Sequence, residues 1–112
     1  MPDARLLAYV RSLGGVPEEI LANPEYLELM LPIMRADLEL LETYRYVPRA
    51  PLACPLVVAG ATDDLEVPAA SLEPWREHTT GPFQLQMFAG GHFYLHEQRA
   101  AFTAFVKSAL AG

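Results

Sequence analysis

The sequence predicts an α/β fold with parallel strands joined by crossover helices, and three patterns carry this prediction. Residues 56–60 (LVVAG) form a short apolar run without polar alternation, as in a strand covered on both faces. Residues 83–88 (FQLQMF) alternate apolar and polar side chains, as in a strand covered mainly on one face. Helical patterns at 71–78, for which Ser71 is the predicted cap, and at 97–110 follow these two strands in turn. The order strand, helix, strand, helix implies right-handed parallel crossovers.

Two parallel strands are too few for a stable sheet, because such sheets are normally extended by further βα units. We therefore expect residues 49–112 to be the C-terminal part of a larger α/β core. Residues 1–48 are predicted to form a separate helical region.

The helical region contains two predicted helices. Residues 4–10 form the first, which ends at the glycine pair 14–15. The second runs from Asn23 to about Tyr46, where apolar residues recur every three or four positions. Asn23 followed by Pro24 is a good helix start, and Pro32 predicts a kink or a division into two helices.

Composition excludes several classes of function. The chain of 112 residues has 8 basic and 14 acidic side chains, which disfavours nucleic-acid binding through basic patches. Cys54 is the only cysteine, so no intrachain disulfide forms and a cytoplasmic location is expected. No apolar run reaches the ~20 residues of a membrane span, and no HxH or HExxH spacing predicts a metal. We expect no membrane association, no metal and no cofactor.

Candidate catalytic side chains follow both predicted strands. Asp63 and Asp64 come just after the first strand, and His92 lies in a glycine turn after the second. The carboxyl ends of parallel strands meet at one edge of a sheet, where ligands bind in open α/β folds. An aspartate beside a histidine would orient the imidazole as a general base. The alternatives are a helix-capping turn and a surface loop that happens to hold a histidine.

Several segments together resemble type II thioesterases, the editing enzymes of nonribosomal peptide and polyketide synthesis. The segments are 54–64 (CPLVVAGATDD), 75–83 (WREHTTGPF) and 90–93 (GGHF), with 13–17 (LGGVP), 31–37 (LPIMRAD) and 42–44 (ETY) upstream. The similarity covers nearly the whole chain. It implies the C-terminal part of an α/β-hydrolase fold.

The resemblance also implies roles for particular residues. Asp64 matches the catalytic acid of the family and His92 matches its base, while Leu65 stands where members often have proline. The segment from Leu13 to about Tyr46 matches the helical lid. Its residues Leu31, Met34 and Leu38 would contact the substrate, and the alternative for each of them is simple core packing. That substrate would be an acyl thioester on the phosphopantetheine arm of an acyl or peptidyl carrier domain.

The nucleophile of such an enzyme is missing from these residues. No GxSxG elbow occurs, the oxyanion-hole loop is absent, and none of Ser12, Ser71 and Ser108 follows a strand in a glycine turn. Cys54 precedes its strand and is not expected to replace the serine. We assign no catalytic role to His78 or His96.

Three hypotheses follow. The chain supplies the acid, the base and the lid of a thioesterase; it is a non-catalytic module that binds a carrier domain or a second chain; or it belongs to another α/β-hydrolase esterase. An exposed sheet edge would also favour self-association.

Overall fold

The fold is described from a computed structural model, which covers residues 2–111. The chain divides into two compact units, one up to Pro48 and one from Arg49 onward. Within the described residues, no helix is long and apolar enough to cross a membrane.

Three helices build the first unit: α1 (Asp3–Leu13), α2 (Glu18–Leu21) and α3 (Pro24–Thr43). Helix α1 ends at Gly14, whose φ of 77° is a conformation that glycine adopts without strain. The fully buried side chains of this unit are Leu6 and Leu21, so its core is small. The predicted helix at 4–10 and its glycine stop are confirmed.

Helix α3 starts as predicted and continues through its proline. The Asn23 side-chain oxygen accepts hydrogen bonds from the backbone amides of Glu25 (3.0 Å) and Tyr26 (3.3 Å). The expected division into two helices at Pro32 is wrong, because the helix is uninterrupted over its 20 residues. Proline removes one amide donor, but strong helix formers on either side of it keep the helical pattern. The helix ends at Thr43, since Tyr44 is extended.

The second unit contains a parallel two-stranded sheet. Strand β1 (Leu56–Ala61) pairs with β2 (Phe83–Phe88), in a register that runs from Leu56 opposite Phe83 to Ala61 opposite Phe88. Helix α4 (Ala69–Leu72) and a 3₁₀ helix (Glu73–His78) connect the strands, and α5 (Tyr94–Glu97) and α6 (Arg99–Ala111) follow β2. The predicted order of strands and helices, and their parallel pairing, are confirmed.

The helices of this unit differ in detail from the prediction. Residues 71–78 do not form one helix capped by Ser71, because α4 already starts at Ala69 and gives way to the 3₁₀ helix. The Ser71 hydroxyl instead donates backwards to the carbonyl of Pro68 (2.7 Å). The predicted final helix at 97–110 corresponds to α6, which starts two residues later at Arg99, because Glu97 ends α5 and Gln98 separates the two helices.

Burial of the sheet increases towards its carboxyl end. Val57 remains 38% exposed, whereas Ala61 and Phe88 at the ends of the strands are buried. The expectation that β1 is covered on both faces along its length is therefore wrong for the described residues, since too few elements surround it. Phe88 contacts three aromatic rings, those of Tyr94, Phe102 and Phe105. The best-packed part of this unit thus lies directly under the two turns that follow the strands.

Replacing the cap of α3 tests how this helix starts. The variant Asn23→Ala leaves the amides of Glu25 and Tyr26 without their acceptor, so we expect a loss of about 1 kcal/mol in unfolding free energy. Urea unfolding followed by circular dichroism measures this loss, and hydrogen exchange locates it at the two amides. Asn23→Asp, which keeps an acceptor oxygen, is the control. Equal stability of the alanine variant would contradict the capping role.

Candidate active site

The acid turn follows β1 and fixes one aspartate through its own backbone. Asp64 is 7% exposed, and its Oδ1 accepts hydrogen bonds from the amides of Glu66 (2.9 Å) and Val67 (3.1 Å). Aspartate commonly forms such bonds to amides two and three residues ahead. Asp63, which the spacing alone left as an alternative, is exposed. The carboxylate that the turn holds in place is therefore that of Asp64.

The histidine turn follows β2 and brings His92 to this carboxylate. Nδ1 of His92 lies 3.1 Å from Oδ2 of Asp64, so the two oxygens of the aspartate have different partners. The His92 side chain is 34% exposed and that of Asp64 is 6% exposed. The structure thus joins the two residues that the sequence predicted as a pair.

This geometry defines which nitrogen of His92 is available for chemistry. An ionised Asp64 accepts a hydrogen bond from Nδ1–H, and this selects the tautomer in which Nε2 has no proton. An imidazole in this tautomer is able to accept a proton at Nε2, and an adjacent carboxylate would stabilise the resulting imidazolium. The ring of Phe93 stands edge-on to the imidazole, with ring centroids 5.0 Å apart.

An aromatic side chain close to the pair remains uncharged. Burial, and secondarily the negative charge of Asp64, raise the pKa of the Tyr94 phenol above its ordinary value of 10.0. The ring of Tyr94 stacks on Phe88 with centroids 5.7 Å apart and meets the edge of Phe102. Tyr94 therefore supports the turn as a neutral packing group.

The remaining reactive side chains lie elsewhere in the fold. His78 packs against Trp75, with ring centroids 5.1 Å apart, and His96 lies within α5. Cys54 is exposed before β1. The hydroxyl of Ser12 donates to a carbonyl within α1, that of Ser71 donates to the carbonyl of the residue before α4, and Ser108 lies in α6. Across residues 2–111, no group of three or more His, Cys, Asp and Glu side chains is arranged to hold a metal ion.

The residues predicted to contact substrate lie in the first unit. Leu31, Met34 and Leu38 are half-buried on α3, and Leu38 together with Leu6 lines a cleft of about 270 Å³. A second apolar stripe on α3 is more exposed; it consists of Leu29 (68%), Ile33 (49%) and Leu40 (69%). The spacing of these residues, four and then seven positions apart, was visible in the sequence. We predicted substrate contact for Leu31, Met34 and Leu38 instead.

The backbone contribution to the site was also missed by sequence reasoning. The backbone amides of Glu66 and Val67 hold the carboxylate. In a sequence, such a turn is indicated by an aspartate whose neighbours two and three positions later are not proline, because their backbone amides are then able to donate. The sequence contains that signal at both Asp63 and Asp64, so it did not identify one of them by itself.

Comparison with known families gives the class of protein. The Thioesterase domain family matches residues 1–110, and the chain belongs to this family. Two turns of a parallel sheet that present an aspartate and a histidine at one edge agree with the α/β-hydrolase fold of its structural relatives.

Three relatives illustrate the similarity. Thioesterase PikA5 of Streptomyces venezuelae is 41% identical over 98 residues, which are 88% of this chain and 35% of PikA5. Linear gramicidin dehydrogenase LgrE of Brevibacillus parabrevis is 38% identical over 98% of this chain and 43% of its own length. The type II thioesterase BorB from the borrelidin biosynthetic cluster superposes with a TM-score of 0.81 at 40% identity.

These relatives are considerably longer than this chain. The BorB superposition covers 96% of this chain and 44% of BorB, so the chain spans less than half of each relative. The name of LgrE refers to a dehydrogenase. The Asp64–His92 pair of this chain agrees with hydrolase chemistry.

Removing the charge of Asp64 tests the pair. We expect Asp64→Asn to lose the preference of His92 for the Nδ1–H tautomer. The single amide oxygen stays with the amides of Glu66 and Val67, so the NH2 group, which only donates, faces Nδ1. The ¹⁵N shifts of the ring, read through its carbon-bound protons at about pH 9, where histidine side chains are neutral, report the tautomer.

Asp63→Asn is the matched control, since this neighbouring carboxylate is exposed. It should leave the tautomer unchanged. An equal change in both variants would show that the imidazole senses general charge and not the bond to Asp64.

Proposed function

We propose that this chain supplies the acid and the base of a Ser-His-Asp thioesterase, with Asp64 orienting His92. The observation that carries the proposal is the 3.1 Å contact between Asp64 Oδ2 and His92 Nδ1, at the carboxyl edge of a parallel sheet. Membership of the thioesterase family supports thioesters as the substrate class. The nucleophile must come from residues outside these 112, because no serine here stands in a strand-to-helix elbow.

The proposed reaction has two steps. Nε2 of His92 takes the proton of the serine hydroxyl while its oxygen attacks the thioester carbonyl, and the protonated imidazole then gives that proton to the departing thiolate. In the second step a water molecule loses a proton to Nε2 as its oxygen attacks the acyl-serine carbonyl. The imidazolium then returns that proton to the serine oxygen, which leaves as the hydroxyl while the carboxylic acid is released. Asp64 stays ionised throughout and stabilises the imidazolium in both steps.

The substrate is proposed from the relatives. PikA5 is named a thioesterase, and BorB is a type II thioesterase of a biosynthetic cluster. An acyl group on the phosphopantetheine arm of an acyl or peptidyl carrier domain is therefore the substrate we propose, and carrier domains are the proposed partners. A cytoplasmic location belongs to the same proposal.

Residues 1–48 are proposed to be the lid, with the half-buried Leu31, Met34 and Leu38 in contact with the acyl chain.

A sheet of two strands has two unpaired edges, and this favours a second proposal: association with a second chain or with another copy. Leu65, at 94% exposure, adds uncovered apolar surface to this unit. Sedimentation of the purified chain tests self-association.

A chimeric enzyme tests the proposed catalytic roles. In it, this chain replaces the segment of PikA5 that it matches, so that the nucleophile is provided. We expect the chimera to hydrolyse an acyl-phosphopantetheine carrier, and His92→Ala or Asp64→Asn to lower kcat by about 10⁴-fold. The isolated chain should be inactive.

Asp63→Asn and His96→Ala are the controls in the same chimera and should retain activity. Faster hydrolysis of an oxygen ester than of the matched thioester would favour an esterase. An active chimera that tolerates His92→Ala would reject the proposed base.

The lid proposal is tested on the same chimera with acyl groups of different length. Truncation to alanine at Leu31, Met34 and Leu38 removes apolar contact, so kcat/KM for a long acyl chain should fall about tenfold while that for acetyl is unchanged. The matched set is Leu29→Ala, Ile33→Ala and Leu40→Ala. A selective effect of this second set alone would place the acyl contact on the exposed stripe.

A further inference from the structure

The acid turn and the histidine turn are joined by backbone hydrogen bonds just before their functional side chains. The amide of Thr62 donates to the carbonyl of Phe88 (2.9 Å), which continues the ladder beyond the last pair of the sheet. The amide of Asp63 then donates to the carbonyl of Gly90 (2.9 Å). This second bond lies one residue from Asp64 and two from His92, so it ties the two turns to each other directly.

Asp64 has little freedom to follow the histidine if the turns separate. Its Oδ1 is held by the amides of Glu66 and Val67, and its side chain is 6% exposed. The Oδ2 to Nδ1 distance is already 3.1 Å, and a hydrogen bond is lost beyond about 3.5 Å. A relative movement of the turns by about half an ångström is therefore enough to break the pair.

The two glycines of the histidine turn differ in whether the backbone conformation requires glycine. Gly90 has a φ of 124°, a backbone conformation that residues with a side chain rarely adopt. A Cβ atom at Gly90 would lie 2.7 Å from Oε2 of Glu97, an exposed side-chain end that moves easily, so the φ of Gly90 is what requires glycine. At Gly91 the φ is not in this region and a Cβ atom would meet open space. Only the first glycine is required by the local geometry.

We propose that Gly90 is a positioning residue for the Asp64–His92 pair, acting through the hydrogen bond from the Asp63 amide to its carbonyl. The unusual φ turns the Gly90 carbonyl towards the acid turn, and the bond sets the separation at which Oδ2 reaches Nδ1. The catalytic consequence rests on the proposed function, whereas the coupling of the turns is a property of this chain and is measurable without hydrolysis.

The test compares Gly90→Ala with Gly91→Ala in the full chain. In Gly90→Ala we expect His92 to lose its preference for the Nδ1–H tautomer and the Asp63 amide to exchange faster with solvent. Gly91→Ala should leave both unchanged. Retention of the tautomer in Gly90→Ala, or an equal loss in Gly91→Ala, overturns the proposal.

A second change removes the bond without adding any atom to the turn. Replacement of the Asp63 amide by an ester, through the corresponding α-hydroxy acid, deletes the donor and leaves both glycines intact. This change decides the proposal if Gly90→Ala fails to fold. We expect the ester to abolish the tautomer preference, and an unchanged tautomer contradicts the coupling.

Activity of the chimera separates this proposal from the proposed function. Gly90→Ala should lower kcat about 100-fold with little change in KM, since misplacement by about 1 Å costs that much. If Gly90→Ala is fully active while His92→Ala is inactive, the function stands and the positioning role fails. If the tautomer is lost in Gly90→Ala while the His92→Ala chimera stays active, the positioning role stands and the catalytic one fails.

Discussion

The parallel pairing of β1 with β2 is the constraint on which the site depends. Its register places Ala61 opposite Phe88, so the turns that follow the strands leave the sheet side by side. Asp64 and His92 are 28 residues apart in sequence, yet their side chains meet because each lies a few residues past the end of its strand. The aromatic contacts of Phe88 support this end of the sheet, and burial is greatest there. Packing and chemistry therefore share one location.

Much of this arrangement was predictable from the sequence. The bounds of β2, the glycine stop of α1 and the Asn23 cap depend on nearby residues, and the sequence identified all of them. The meeting of an aspartate with His92 followed from a general property of parallel sheets. The sequence was sufficient to predict a contact when its partners are close in sequence, or when the topology of parallel sheets brings them together.

Other features depend on partners that a single sequence does not display. Helix α3 continues through Pro32, and Ser71 bonds backwards to Pro68 where a helix cap was predicted. The choice between Asp63 and Asp64 depends on which carboxylate turns towards the amides ahead of it, and adjacent identical residues give no local signal for this. The partial exposure of β1 reflects the small number of elements around it, which a short apolar run cannot report.

In the acid turn, the bonds that hold the Asp64 carboxylate do not depend on which side chain occupies position 65. The amides that bind Asp64 belong to Glu66 and Val67, whereas Leu65 between them contributes no bond to the aspartate and is 94% exposed. A proline at this position, as in the related thioesterases that the sequence resembles, would sacrifice no contact to the acid. It would reduce the conformational freedom of the unfolded chain and so favour the folded turn, if the backbone at residue 65 fits proline. Residue 65 is thus a point at which the stability of the acid turn varies independently of its chemistry.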